Sequence, residues 1–307
     1  MNYIKGFTYR LVASKNQTFA GDKAKESLRL LYESTQCDTI VLAIAALQDT
    51  PQSEQIDYVG DHMPTDEELV TMIDYAKSLG LRVILKPMLN CRNGVWRAHI
   101  NFFDLEVVCE PKWSKWFESY NEYILHYAKI AQETACEMLI IGCELVQTER
   151  KEAYWRALIE KVRTVYQGVI TYNTDKYQET EISWWDAVDV ISSSGYYPIN
   201  EWEQNLDRIE AVVGKFDKPF FFAECGCPCR KGSADIPNDW TFVGPKDEDE
   251  QARYYQAMFN ACRKRKFVEG FACWDWVSNV YDYPFDNDGY SVYQKAACDV
   301  IKNEYKQ

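Results

Sequence analysis

Along the chain, short apolar runs rich in β-branched and aromatic residues alternate with amphipathic stretches of helical period. The strand-like runs are Ile4 to Tyr9, Thr39 to Ala46, Arg82 to Met88, Met138 to Glu144, Val169 to Asn173, Val188 to Ser194, Pro219 to Glu224 and Gly270 to Asp275. Between and after them the pattern predicts helices over Asp22 to Thr35, Thr65 to Leu79, Lys112 to Glu133, Lys151 to Tyr166, Glu201 to Lys215, Asp247 to Lys266 and Ser291 to Tyr305. In the first of these, Leu28, Leu31 and Tyr32 share one face. The second opens on Thr65-Asp-Glu-Glu68, the spacing of a capping box, and stops at Gly80. Strands alternating with helices along the chain, eight strands in all, predict an α/β fold closed as a single (β/α)8 TIM barrel. One catalytic barrel domain over residues 1–307 is expected, since no repeat, low-complexity tract or linker interrupts the series.

Composition narrows the partners. A net charge of −13 disfavours a phosphate backbone, whose binding rests on Lys and Arg, so no nucleic acid is expected. No run approaches the roughly 18 apolar residues of a membrane span, so no membrane partner is expected either. Aromatic residues make up 15% of the chain, with ten Trp and 21 Tyr, many of them near strand ends, where flat rings can stack on sugar faces as well as fill a core. The first residues lack a basic region followed by an apolar one, and Cys143 and Cys273 fall inside apolar strand patterns. Both features lead to the expectation of reduced thiols and a cytoplasmic protein. The oligomeric state is left open.

The chemistry begins with two glutamates. Each closes an apolar run, Glu137-Met-Leu-Ile-Ile-Gly-Cys-Glu144 and Lys218-Pro-Phe-Phe-Phe-Ala-Glu224. A carboxylate at such a place belongs at a strand mouth facing a polar cleft, because burial in a dry core carries a heavy desolvation cost. In a barrel, that mouth is where active groups gather. Two carboxyl groups across one substrate are what glycoside hydrolysis requires: one protonates the leaving oxygen, the other attacks the anomeric carbon or activates water.

Around this pair, Leu85-Lys-Pro87 with Trp96-Arg97, Trp113-Ser-Lys-Trp-Phe-Glu-Ser-Tyr120, Ile141-Gly-Cys-Glu-Leu145, Gly168-Val-Ile-Thr-Tyr172, Trp185-Asp-Ala-Val-Asp189, Tyr196-Tyr-Pro198 and Glu224-Cys-Gly226 resemble glycoside hydrolase family 113 nearly end to end. That is a barrel family of β-1,4-mannanases in a clan of retaining glycosidases. The resemblance implies hydrolysis of β-1,4-mannosidic bonds in mannan, glucomannan or manno-oligosaccharides by double displacement. Glu144, ending strand four, would be the acid/base and Glu224, ending strand seven, the nucleophile, with no cofactor and no metal. A retaining pair stands about 5 to 5.5 Å apart. Two departures bear on specificity: Cys143 precedes the acid/base where much of the clan has Asn, and Asn173-Thr-Asp-Lys-Tyr177 stands where an Ala-Asn-Trp-like segment is expected.

Other candidates follow from position. Asn90 and Asn173 could replace the missing amide at the sugar 2-hydroxyl. Tyr196 is expected to hydrogen-bond Glu224, Trp274 to lie beneath the sugar, Trp96 to cap a remote subsite, and Arg97 and His99 to offer donors to hydroxyls. Lys86 admits an aldolase-like Schiff base, or simply a partner for a strand-end carboxylate. The run Cys225, Cys227, Cys229 has poor spacing for zinc. Asp282, Asp286, Asn287 and Asp288 around Tyr283-Pro-Phe285 fit a turn better than a calcium loop. Other retaining β-1,4-glycanases, acting on xylan or β-glucan, and a catalytically silent carbohydrate-binding barrel remain as alternatives.

Overall fold

The computed structural model describes residues 2–12, 18–282 and 287–307. Tyr283, Pro284, Phe285 and Asp286 of the acidic segment therefore lie outside the described residues. Eight parallel strands close on themselves in chain order: β1 (Ile4–Arg10), β2 (Thr39–Gln48), β3 (Arg82–Cys91), β4 (Met138–Cys143), β5 (Val169–Thr174), β6 (Val190–Gly195), β7 (Phe220–Cys225) and β8 (Val268–Val277). β1 pairs with both β2 and β8, which completes the ring.

Strand period two sorts the side chains. Ile4, Val41, Ile84, Met138, Ile140, Val190, Phe221, Ala223 and Ala272 form one apolar layer inside the barrel. Their chain neighbours, such as Ile40, Leu42, Val83, Leu85 and Leu139, belong to the larger cluster under the helices. Above the inner layer, Ala43, Met88, Cys143, Tyr196, Trp274 and Tyr290 make a second, smaller one at the C-terminal mouth. Along β3 the inward positions run Ile84, Lys86, Met88, so Lys86 is set between the two layers.

Seven α-helices among the described residues cover the barrel: α1 (Asp22–Thr35), α2 (Asp66–Ser78), α3 (Trp113–Glu133), α4 (Glu152–Arg163), α5 (Trp202–Phe216), α6 (Glu248–Cys262) and α7 (Ala296–Tyr305). The capping box of α2 is made in both directions between Thr65 and Glu68, and Gly80 takes the positive φ of 81° that ends the helix. No α-helix joins β5 to β6. A short 3-10 turn, Trp185–Ala187, does so, and Trp184 stacks on Trp155 of α4 at 5.2 Å to cover the sheet where a helix would. Buried Glu179 ties this connection down, accepting hydrogen bonds from Ser193 and Tyr197, both at 2.6 Å, and pairing with Arg208 of α5.

Irregular pairing re-aims both strands that carry a strand-end glutamate. On β4 the register to β5 slips between Ile140 and Cys143, so Cys143 turns inward where strict alternation would have placed Gly142. Gly142 must then face the aromatic layer, where an added Cβ would lie 2.7 Å from the Tyr172 ring. Glu144 follows at a positive φ of 51°, its N–H held by the Asn173 carbonyl at 2.8 Å. On β7 a slip against β6 between Ser193 and Ser194 brings Glu224 to the inside immediately after inward Ala223. Bulges commonly re-aim side chains beside active sites.

Another buried carboxyl, Glu149, closes the outer wall near β5. Burial pushes Glu149 up from 4.5 to about 8, although the hydroxyls of Tyr172 (2.8 Å) and Thr174 (2.9 Å), which bond its Oε1, pull the other way. A folded-state value above the unfolded one means that the folded protein holds this proton as the unfolded chain releases it. Stability therefore falls as pH rises from about 4.5 towards 8. Glu149→Gln is expected to flatten that decline, raising stability at pH 8 by a few kcal/mol, on the order of what such a displacement carries. Melting temperatures of both proteins between pH 5 and 8 check this, and parallel curves would contradict it.

Candidate active site

At the C-terminal mouth a cleft of about 960 Å³ is lined by residues from the ends of β1 to β8, among them Asn90, Trp96, Arg97, Glu144, Tyr196, Glu224, Trp240 and Trp274. Both glutamates face it and both are nearly buried, at 7% and 2% exposure.

The two carboxyl groups have separate donor sets. Glu224 Oε1 is bonded by Lys86 Nζ at 2.5 Å and approached by the Cys143 thiol at 3.3 Å, while its Oε2 accepts from the Tyr196 hydroxyl at 2.9 Å. Glu144 Oε1 accepts from Ser194 Oγ at 2.8 Å. Its Oε2 is approached by Trp96 Nε1 at 3.3 Å and by the Arg97 guanidinium at 3.4 Å. Burial would raise the Glu224 carboxyl, but Lys86 and Arg97, with the hydrogen bonds from Lys86 and Tyr196, outweigh it and hold the group below its ordinary value. Burial likewise opposes the Lys86 charge, yet the surrounding negative groups keep the ammonium above its ordinary value. That direction is the reverse of what a Schiff-base lysine needs.

Each expected site residue has a definite place. Tyr196 is on Glu224 as anticipated, and Trp274 lies at the cleft floor, 5.4 Å beneath the Arg10 guanidinium and 6.0 Å from Lys86 Nζ. Asn90 Oδ1 accepts a hydrogen bond from the Arg97 guanidinium at 2.7 Å and Asn90 remains in the cleft wall, so Arg97 links it to Glu144. Trp96 is closer than a remote cap: 44% exposed, it sets its ring edge-on to His99 at 6.0 Å and reaches Glu144. Asn173 differs most from expectation. It is fully buried beneath the cleft, its Oδ1 taken by Lys86 at 2.6 Å and its Nδ2 given to Ser194 and the Thr174 carbonyl, which leaves nothing for a sugar hydroxyl. Of the cysteine run, Cys225 lies against Cys273 at 4.0 Å and Cys227 against Ser233 at 3.2 Å. Among the described residues no group of three or more His, Cys, Asp or Glu side chains could hold a metal ion.

Four contributors were not read from the sequence. Ser194 sits at an inward position two residues beyond Ser192, so strand parity marks it. Asp175 and Lys176, paired at 3.3 Å, line the cleft just past β5; burial, with Glu144 nearby, pushes Asp175 up to about 7. Trp240, in the loop after β7, stands edge-on to Trp274 at 6.3 Å and 4.5 Å from Tyr290, and is 59% exposed. No local pattern announces its position.

Comparison with known proteins accords with this geometry. The profile of Glycoside Hydrolase Family 113 matches residues 7–295. The structure of a GH113 β-1,4-mannanase, solved as a complex, is 56% identical with a TM-score of 0.97, each chain covering all of the other. The GH113 β-mannanase AaManA from Alicyclobacillus acidocaldarius, in complex with ManMIm, is 38% identical at a TM-score of 0.94, over 100% of this chain and 98% of that one. A β-glucuronidase from Ruminococcus gnavus shares the fold alone, at 15% identity and a TM-score of 0.69 over half of its length. No curated protein sequence matches the chain.

Proposed function

Since the chain belongs to glycoside hydrolase family 113, we propose that it hydrolyses β-1,4-mannosidic bonds in mannan, glucomannan or manno-oligosaccharides with retention of configuration. Two strand-end carboxyl groups with independent donor sets in one cleft carry this reading. Glu224, held ionised by Lys86 and Tyr196, is the nucleophile. Its Oε1 is occupied from the barrel interior by Lys86 and Cys143, so Oε2, on the Tyr196 side, is the attacking oxygen. Glu144 gives its proton to the glycosidic oxygen and then takes one from water. Trp274 lies beneath the sugar undergoing cleavage, while Asn90, Trp96 and Arg97 order its hydroxyls on the Glu144 side. Asn173 acts through Lys86 rather than on the sugar.

Removing the Tyr196 hydroxyl withdraws a hydrogen bond to a charged oxygen, worth about 1.5 to 3 kcal/mol. Tyr196→Phe is expected to lower kcat/KM roughly 10- to 100-fold. Because that hydroxyl also holds Glu224 down, the acidic limb of the kcat/KM profile should move to higher pH. A profile unchanged in position would contradict the assignment.

The substrate is tested by incubating β-1,4-linked manno-, cello- and xylohexaose separately with equal amounts of protein. Cleavage of the manno-chain alone supports the proposal. Preferential cleavage of either other chain would make the protein a different β-glycanase, and binding without cleavage a silent barrel. Among the described residues no helix is long and apolar enough to cross a membrane. All eleven cysteines are free, ten of them buried, which supports our assignment of a reducing, cytoplasmic setting for one catalytic unit spanning residues 1–307.

A further inference from the structure

We infer that Lys86 and Arg97 act as a divided pair of counter-cations, Lys86 favouring return of negative charge to Glu224 and so driving breakdown of the glycosyl-enzyme, Arg97 favouring its formation. The inference rests on the nucleophile and acid/base roles proposed above and adds what decides the balance between the two half-reactions.

The atom balance requires such a division. In the first half-reaction Glu224 Oε2 bonds to the anomeric carbon, the bond to the leaving sugar breaks with its electron pair going to the glycosidic oxygen, and the proton of Glu144 follows to that oxygen. The negative charge thereby passes from Glu224 to Glu144. In the second, the oxygen of water bonds to the anomeric carbon, its proton goes to Glu144, and the bond to Oε2 breaks with the pair returning to Glu224. One charge crosses the cleft and back in each turnover, and each carboxyl group is in direct contact with a different cation, Lys86 at 2.5 Å from Glu224 and Arg97 at 3.4 Å from Glu144, while Arg97 acts on Glu224 only through space.

The two cations differ in their surroundings. Lys86 is fully buried on the inner face of β3, and its remaining hydrogen-bond acceptor is the neutral amide oxygen of Asn173. Water cannot replace Glu224 around it. Once Glu224 is an ester, Lys86 keeps only a neutral carbonyl and a neutral amide in contact, a costly state for an ammonium in a low-dielectric interior. That cost is relieved when the ester breaks. Arg97 is attached from the cleft side through Asn90 and meets Glu144 as that residue becomes charged.

The titratable groups around the Lys86–Glu224 pair are Cys143 from β4, Glu144 just past it, Tyr196 after β6 and Arg97 in the loop after β3. Burial pushes the Cys143 thiol and the Tyr196 phenol well above their ordinary values.

The test uses 2-deoxy-2-fluoro-β-mannosyl fluoride to trap the intermediate, followed by removal of excess reagent and measurement of recovered activity. Mass analysis of the labelled peptide comes first: a label on a residue other than Glu224 would overturn the proposed nucleophile, and this inference with it. With the label on Glu224, Lys86→Met is expected to reactivate roughly 10- to 100-fold more slowly than wild type, and Arg97→Met no more slowly than wild type. With a dinitrophenyl β-mannobioside, Lys86→Met should also release a burst of one phenolate per site before a slow steady state. Equal reactivation of Lys86→Met and wild type would overturn the inference. If Lys86→Met does not fold, labelled wild type decides: its reactivation rate should fall at a pH below the ordinary lysine value of 10.5, and a rate constant through that range would overturn the proposal.

Discussion

Glu224→Ala is expected to lose activity on β-1,4-manno-oligosaccharides by at least about 10⁴-fold, because it removes the group that forms the bond to the anomeric carbon. Lys86 is a base in contact with that carboxylate, but it is held protonated and lies inside the barrel. The same substitution strands a buried cation, a change that typically costs on the order of 3 to 5 kcal/mol. Glu224→Gln, which keeps an oxygen in place for Lys86, should be as inactive and retain more stability. Steady-state rates and thermal melts of the two variants separate the chemical loss from the structural one. Activity of Glu224→Ala within tenfold of wild type would remove this residue from the chemistry.

Glu144→Ala should produce a different signature. Loss of general acid/base assistance is worth about 10²- to 10⁴-fold, and for manno-oligosaccharides the full loss should appear, since a sugar alkoxide cannot leave unaided. A dinitrophenyl β-mannobioside needs no proton, so its first half-reaction should survive while the second stalls. Azide, which needs no base, should then restore turnover and yield a mannosyl azide of β configuration. Absence of rescue, or an α-configured azide, would count against the role. Ser194, Trp96 and Arg97 hold the Glu144 carboxyl from three sides, so the alanine variant also leaves space in which azide can act.

The sequence is legible where a single chain segment determines the outcome. The apolar runs give all eight strands to within a few residues, and the Thr65 box with Gly80 gives both ends of α2. Glu144 and Glu224 stand out because charged residues rarely end apolar strands without reason. What escapes is set by parity and by contacts between distant segments. Alternation alone would turn Gly142 inward in place of Cys143, and Glu224 outward after Ala223; the slips in β4 and β7 that reverse this leave no mark in composition. Asn173 reads as a cleft residue from its strand-end position, yet Lys86, 87 residues earlier, claims its oxygen from inside the barrel. Trp96 reads as remote because a loop of unknown path carries it, and that path folds back onto Glu144. Trp240 depends on the course of residues 226–247 after β7, which brings it beside Trp274.

Retention is the central claim, because it follows from Glu224 acting on the sugar itself rather than on water. Proton NMR of mannohexaose hydrolysis in its first minutes, before mutarotation mixes the anomers, tests it most directly. The β anomer should appear first at the newly formed reducing ends, with the α anomer following only at the rate of mutarotation. Initial accumulation of the α anomer would mean direct attack by water, and would contradict the roles of both Glu144 as acid/base and Glu224 as nucleophile.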